Sequence, residues 1–103
     1  MSKTKTCLIV DDSHVVRRVI QRIVENLDIE TLQAEDGSLA VEACEKNMPD
    51  VILLDWKMPN MDGLEFVKTL RGMKGGDKPK VVFCSTEQDE DSIRQAKKAG
   101  ADE

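Results

Sequence analysis

Three acidic residues stand where chemistry is easiest to imagine. Asp11 and Asp12 follow the aliphatic run at 7–10 directly, and Asp55 follows Val51-Ile52-Leu53-Leu54. A polar pair, Ser85-Thr86, ends a third such run, Val81-Val82-Phe83-Cys84. In open parallel sheets, functional groups gather beyond the carboxyl ends of the strands, near the point where strand order reverses. If the strands ending at Asp11 and Asp55 are neighbours, three carboxylates meet in one site. Like charges that close do not all stay ionised in a partly dry site unless a cation joins them. A hard divalent ion is therefore implied. Mg2+ fits better than Ca2+, because the acidic spacing of an EF-hand is absent and Mg2+ commonly keeps waters and a phosphate oxygen among its ligands. A carboxylate at a tight strand end is also a nucleophile toward phosphorus. Phosphoryl transfer through a loose transition state asks for positioning and charge neutralisation more than for a strong base. The same residues admit plainer readings: Asp11-Asp12 as a helix N-terminal cap pair, and Asp55 as a turn residue.

The elements that must hold these residues alternate along the chain. Thr6 to Val10 reads as a strand buried on both faces, as in a parallel sheet. Ser13 is placed to cap a helix in which Val15, Val16, Val19, Ile20, Ile23, Val24 and Leu27 recur at helical spacing, with Arg17, Arg18, Gln21, Arg22 and Glu25 opposite. A weak strand is expected around Glu30 to Ala34, then a turn at Glu35-Asp36-Gly37 and a helix from about Ser38 to Asn47 with Leu39, Ala40, Ala43 and Cys44 inward. Val51 to Leu54 is the clearest strand, and a loop from Trp56 to Gly63 leads into a helix from about Leu64 to Arg71. A Gly- and Lys-rich connection, a strand at Val81 to Cys84 and a helix from Asp91 to Ala99 complete four strand-helix units. The pattern predicts an α/β fold, a parallel sheet with helices on both faces, in one domain over residues 1–103.

Composition narrows the partners. The chain carries a net charge of -5 with no dense Lys/Arg run, which disfavours nucleic acid and anionic membranes. No apolar stretch approaches a membrane span, and no cleavage-site pattern follows the N-terminus, so a cytoplasmic protein is expected. Cys7, Cys44 and Cys84 are odd in number and embedded in apolar segments, which predicts reduced core thiols. His14, the single histidine, has no second soft ligand nearby in sequence and is expected exposed in a first helical turn.

Taken together, LIVDDS at 8–13, LLDWKMPNMDG at 53–63, CSTE at 84–87 and AGADE at 99–103 resemble, in order and spacing, the receiver domains of two-component response regulators. The resemblance implies a flavodoxin-like, doubly wound sheet of order 2-1-3-4-5. It implies that Asp55 is the phosphoacceptor, taking its phosphoryl group from a histidine kinase or histidine phosphotransfer protein. It further implies that Asp12, Asp55 and the backbone carbonyl of Lys57 ligate Mg2+, with Asp11 acting through a metal-bound water. Ser85 then occupies the switch-hydroxyl position, supported by the N–H of Thr86, and a downstream protein reads the phosphorylated surface. On this resemblance the chain is a phosphoacceptor domain with Mg2+-dependent self-phosphorylation and self-dephosphorylation, rather than an enzyme.

The family pattern continues beyond the Gly-Ala motif into a fifth strand and helix, whereas this sequence stops at Glu103. The expectation is a sheet of order 2-1-3-4 with its fifth strand missing, a truncated receiver. Its exposed fourth strand would invite a homodimer or strand-swapped assembly. Such a chain could instead serve as an assembly module without phosphate turnover. An aspartate-nucleophile phosphohydrolase is disfavoured because Lys57 stands where the haloacid dehalogenase pattern needs a second acid. An FMN carrier is disfavoured because Asp11 and Asp12 would repel its phosphate.

Overall fold

The computed structural model describes residues 5–55, 61, 63–83, 94, 97 and 98. Among these residues four strands, β1 (Thr6–Val10), β2 (Glu30–Ala34), β3 (Val51–Leu54) and β4 (Lys80–Phe83), alternate with α1 (His14–Glu25), α2 (Gly37–Lys46) and α3 (Gly63–Arg71). All strand pairings are parallel and the order is β2-β1-β3-β4, the α/β sheet expected from the alternation. Residues 94, 97 and 98 are helical; the rest of the helix expected at 91–99 lies outside the described residues.

β1 is the pivot because both of its faces are apolar. Leu8 and Val10 point into the larger core with Ile52, Leu54, Phe66, Val67, Leu70 and Val81. Cys7 and Ile9 point to the other side, where Val24 is buried and Ile20, Ile29, Val51 and Leu53 pack. A strand with apolar neighbours on both sides reads as a continuous hydrophobic run, which is why β1, and β3 with one face buried and the other half-buried, are visible in sequence.

The helices differ from expectation in which arc they bury. In α1 only Ile20 and Val24 of the seven spaced apolar residues join the core, while Val15 is 69% and Ile23 59% exposed, and Val16, Val19 and Leu27 are exposed too. The strip that faces the sheet carries Arg17, Gln21 and Glu25 as well, because these reach polar side chains on β2. The apolar arc is wider than the contact the sheet offers among the described residues. In α2 the inward residues are Gly37, Ala40 and Cys44, with Ala43 half-buried, and Leu39 turns outward. Its N-terminus is capped by Asp36, whose carboxylate accepts from the Leu39 amide at 2.9 Å.

The connection from α3 to β4 is drawn tight by Arg71, whose Nη1 donates to the carbonyls of Gly76 at 2.8 Å and Pro79 at 2.9 Å. Gly76 lies so close to the Leu70 carbonyl that a Cβ there would overlap it, so only glycine closes this turn. The fold thereby sets the register in which Val81 meets Ile52.

Cys7 and Cys44 are buried thiols, as expected; Cys84 lies outside the described residues. Burial pushes the Cys44 thiol up from 9.0 to about 11. The folded state thus holds this proton more tightly than the unfolded state does. The resulting stability is present in full below the ordinary thiol value and is lost as pH rises through about 11. Urea midpoints of the chain and of Cys44→Ala should therefore converge between about pH 8 and about pH 10.5, and a constant gap would contradict this.

Candidate phosphoacceptor and metal site

The acidic residues come together through sheet register alone. Val10 is paired with Leu54 across the β1–β3 ladder, so the next residue of each strand, Asp11 and Asp55, leaves the sheet at the same level. The ladder continues into the loops: the Asp55 amide donates to the Val10 carbonyl at 2.9 Å, and the Asp11 amide to the Ala34 carbonyl at 3.1 Å. Strand order reverses at β1, with β2 on one side and β3 on the other, and the site lies at that crevice.

Asp11, Asp12 and Asp55 each offer a carboxylate oxygen, and these oxygens all lie within 4.8 Å of one another. Asp11 is buried, Asp55 half-buried and Asp12 exposed, so the cluster opens to solvent on one side. Two oxygens bound to one Mg2+ at about 2.0–2.1 Å can be no more than about 4.2 Å apart, so modest side-chain rotation brings this set within reach of a single ion. All donors are hard anionic oxygens, the type Mg2+ takes. The donor set therefore fits the ion.

Local structure holds Asp11 through side chain and backbone alike. Its Oδ1 accepts from the Ser13 amide at 2.8 Å, and its backbone carbonyl accepts from Arg17 Nη1 at 2.6 Å. Ser13 caps α1 as anticipated, its hydroxyl accepting from the Val16 amide at 3.3 Å. The start of α1 adds a favourable field for negative charge beside the site. His14 is exposed in the first turn, where sequence put it, with Nδ1 3.5 Å from Arg17.

Arg17 was not apparent from sequence, where it sits among residues read as the solvent face. The usable signal was a polar strip at helical spacing, Arg17, Gln21 and Glu25, opposite Thr31 and Gln33 alternating on β2. Of the other sequence candidates, Lys57, Ser85 and Thr86 lie outside the described residues.

Residues 7–103 match the model of the response regulator receiver domain. The chain belongs to the response regulator receiver family. Sporulation initiation phosphotransferase F of Bacillus subtilis is 32% identical over 91% of this chain and 74% of its own length. The chemotaxis protein CheY of Listeria monocytogenes is 38% identical over 91% of the chain and 78% of its own. The structure of the chemotaxis protein CheY4 of Vibrio cholerae superposes with a TM-score of 0.92 at 30% identity, covering 96% of this chain and 82% of that one. The expectation of a receiver on a flavodoxin-like sheet is borne out, and members of this family are signalling modules of two-component systems rather than enzymes.

Proposed function

We propose that this receiver accepts a phosphoryl group on Asp55 from the phosphohistidine of a histidine kinase or phosphotransfer protein. In this reading Asp11, Asp12, Asp55 and the backbone carbonyl of Lys57 hold Mg2+, and the work is done in the cytoplasm. The observation that carries it is the convergence of three carboxylates at the ends of two neighbouring strands in a chain of this family.

One Asp55 carboxylate oxygen attacks phosphorus while the bond from phosphorus to the donor imidazole nitrogen breaks, and the electron pair leaves with the imidazole. The product is an acyl phosphate on Asp55 and a neutral histidine once a proton reaches that nitrogen. When bound, Mg2+ neutralises the clustered carboxylates and the charge on the transferring phosphoryl oxygens. Asp55 is suited to attack because its amide is tied into the β1 ladder, which keeps the carboxylate at the sheet edge. Asp11 is gripped through its amide, its carbonyl and Oδ1, which holds its carboxylate in the cluster. The Ser85 hydroxyl and Thr86 N–H are assigned to the phosphoryl oxygens, and the added charge of about -1.5 to -2 biases the surface that a downstream protein reads.

Incubation with a small acyl phosphate tests the metal assignment. Incorporation should require added Mg2+ and vanish with a chelator, and Asp12→Ala should raise the Mg2+ concentration needed for half-maximal incorporation by about 10-fold or more. Equal incorporation in chelator and in Mg2+ would reject the metal-assisted reading.

A further inference from the structure

The grip on the Asp11 carbonyl points beyond the carboxylates themselves. We infer that Arg17 is a positioning residue for the metal site: through the Asp11 carbonyl it fixes the Asp11–Asp12 peptide and so aims the Asp12 carboxylate, although its own positive charge opposes cation binding. The inference rests on the proposed metal site and deepens it.

Asp12 is exposed, and among the described residues no hydrogen bond holds its carboxylate. Its direction is therefore set by the backbone that precedes it. Rotation of the Asp11–Asp12 peptide would swing the Asp12 Cα–Cβ bond away from Asp55. Two contacts resist that rotation. The Ser13 amide bonds back to Asp11 Oδ1 at 2.8 Å, and Arg17 Nη1 holds the carbonyl of that same peptide at 2.6 Å, in a half-buried setting. A hydrogen bond from a charged donor to a partly buried carbonyl is among the stronger kinds.

The guanidinium is itself held. Its Nε donates to Gln33 Oε1 at 3.1 Å, and Gln33 Nε2 donates to Gln21 Oε1 at 2.7 Å. Gln21 Nε2 and Thr31 Oγ1 then both donate to Glu25 Oε2, each at 3.2 Å. Arg17, Gln21 and Glu25 are spaced four residues apart on one face of α1, and Thr31 and Gln33 share one face of β2. The network ties the metal-site peptide to the neighbouring edge of the sheet. A planar fork that meets a carbonyl and an amide oxygen at once is a task for Arg, and Lys can satisfy only one of the two.

Charge alone predicts the opposite behaviour, and that makes the inference testable. Removing a cation beside a metal site should tighten metal binding if Arg17 acts only through its field. Removing a positioning group should weaken it, and partners behind metal ligands typically matter by about 10–100-fold.

The whole chain would be titrated with Mn2+, following free ion by electron paramagnetic resonance, with Mg2+ as competitor and thermal unfolding run in parallel. Arg17→Ala should bind Mn2+ about 10-fold more weakly. Arg17→Lys should recover part of the loss, Gln33→Ala should show a smaller loss in the same direction, and the exposed control Arg18→Ala should bind as tightly as the unaltered chain or more so. Should Arg17→Ala fail to fold, Arg17→Lys and Gln33→Ala decide the matter alone: undiminished binding in both overturns the inference. Binding in Arg17→Ala equal to or tighter than in the unaltered chain overturns it likewise while leaving the metal site intact. If the unaltered chain binds no Mn2+, the metal reading falls and the inference with it.

Discussion

Asp55→Asn should leave the chain folded and abolish phosphoryl incorporation from a small acyl phosphate. The substitution is nearly isosteric, and the amide that ties residue 55 to the Val10 carbonyl belongs to the backbone and survives it. Chemistry should be lost because a carboxamide is a poor nucleophile, and Asp11 and Asp12 are occupied differently. The Asp11 carboxylate is tethered to the Ser13 amide, and Asp12 stands on the exposed side of the cluster. Intact mass after incubation with Mg2+ and donor would read this directly: a phosphate-sized increment in the unaltered chain and none in the variant. An increment of equal size in Asp55→Asn would move the acceptor elsewhere.

Phe66→Ala should cost more stability than truncation of any other buried side chain among the described residues. Phe66 is the largest fully buried side chain among the described residues and sits in the core shared by β1, β3, α2 and α3. Truncating a buried Phe to Ala removes its transfer free energy and leaves a cavity, together about 3–5 kcal/mol. That is a large part of the roughly 5–15 kcal/mol that holds a domain folded. The denaturant midpoint should fall steeply with little change in slope, and Phe66→Leu, which refills part of the cavity, should lose less. A shift under about 1 kcal/mol for Phe66→Ala would mean that the α3 side of the sheet is not where this fold keeps its stability. Because the same layer fixes β3 beside β1, partial unfolding should cost metal binding along with structure.

How much of this was legible beforehand depended on the kind of signal. Strands β1 and β3 announced themselves because apolar residues on both faces, buried in β1 and half-buried on one side of β3, leave an unbroken apolar run, and an acid right after such a run marks the sheet's edge. The meeting of Asp11 with Asp55 required only that those strands be neighbours, and the Val10–Leu54 register supplies it. The docking arcs of the helices were harder. Periodicity declares that α1 is amphipathic but not which part of a broad apolar arc meets the sheet, and Val15 and Ile23 proved exposed while Arg17 and Gln21 turned toward β2. A polar edge strand was the cause: Thr31 and Gln33 offer hydrogen-bonding groups that long polar residues on α1 can reach. Leu39 was misplaced in the same way: Gly37, Ala40 and Cys44 are the residues α2 buries, and Leu39 turns outward. The buried cap Asp36 was read only as a turn residue, because a turn and an N-cap share the same residue preferences.

Phosphotransfer to this receiver should turn the Asp55 carboxylate into an acyl phosphate. The most direct test is to phosphorylate the chain with a small acyl phosphate in Mg2+, reduce it with borohydride, and map the peptides by mass spectrometry. Position 55, and no other, should be converted to homoserine, the reduction product of an aspartyl phosphate. A phosphoryl group that resists borohydride, or one found on His14 or on a serine or threonine, would contradict it.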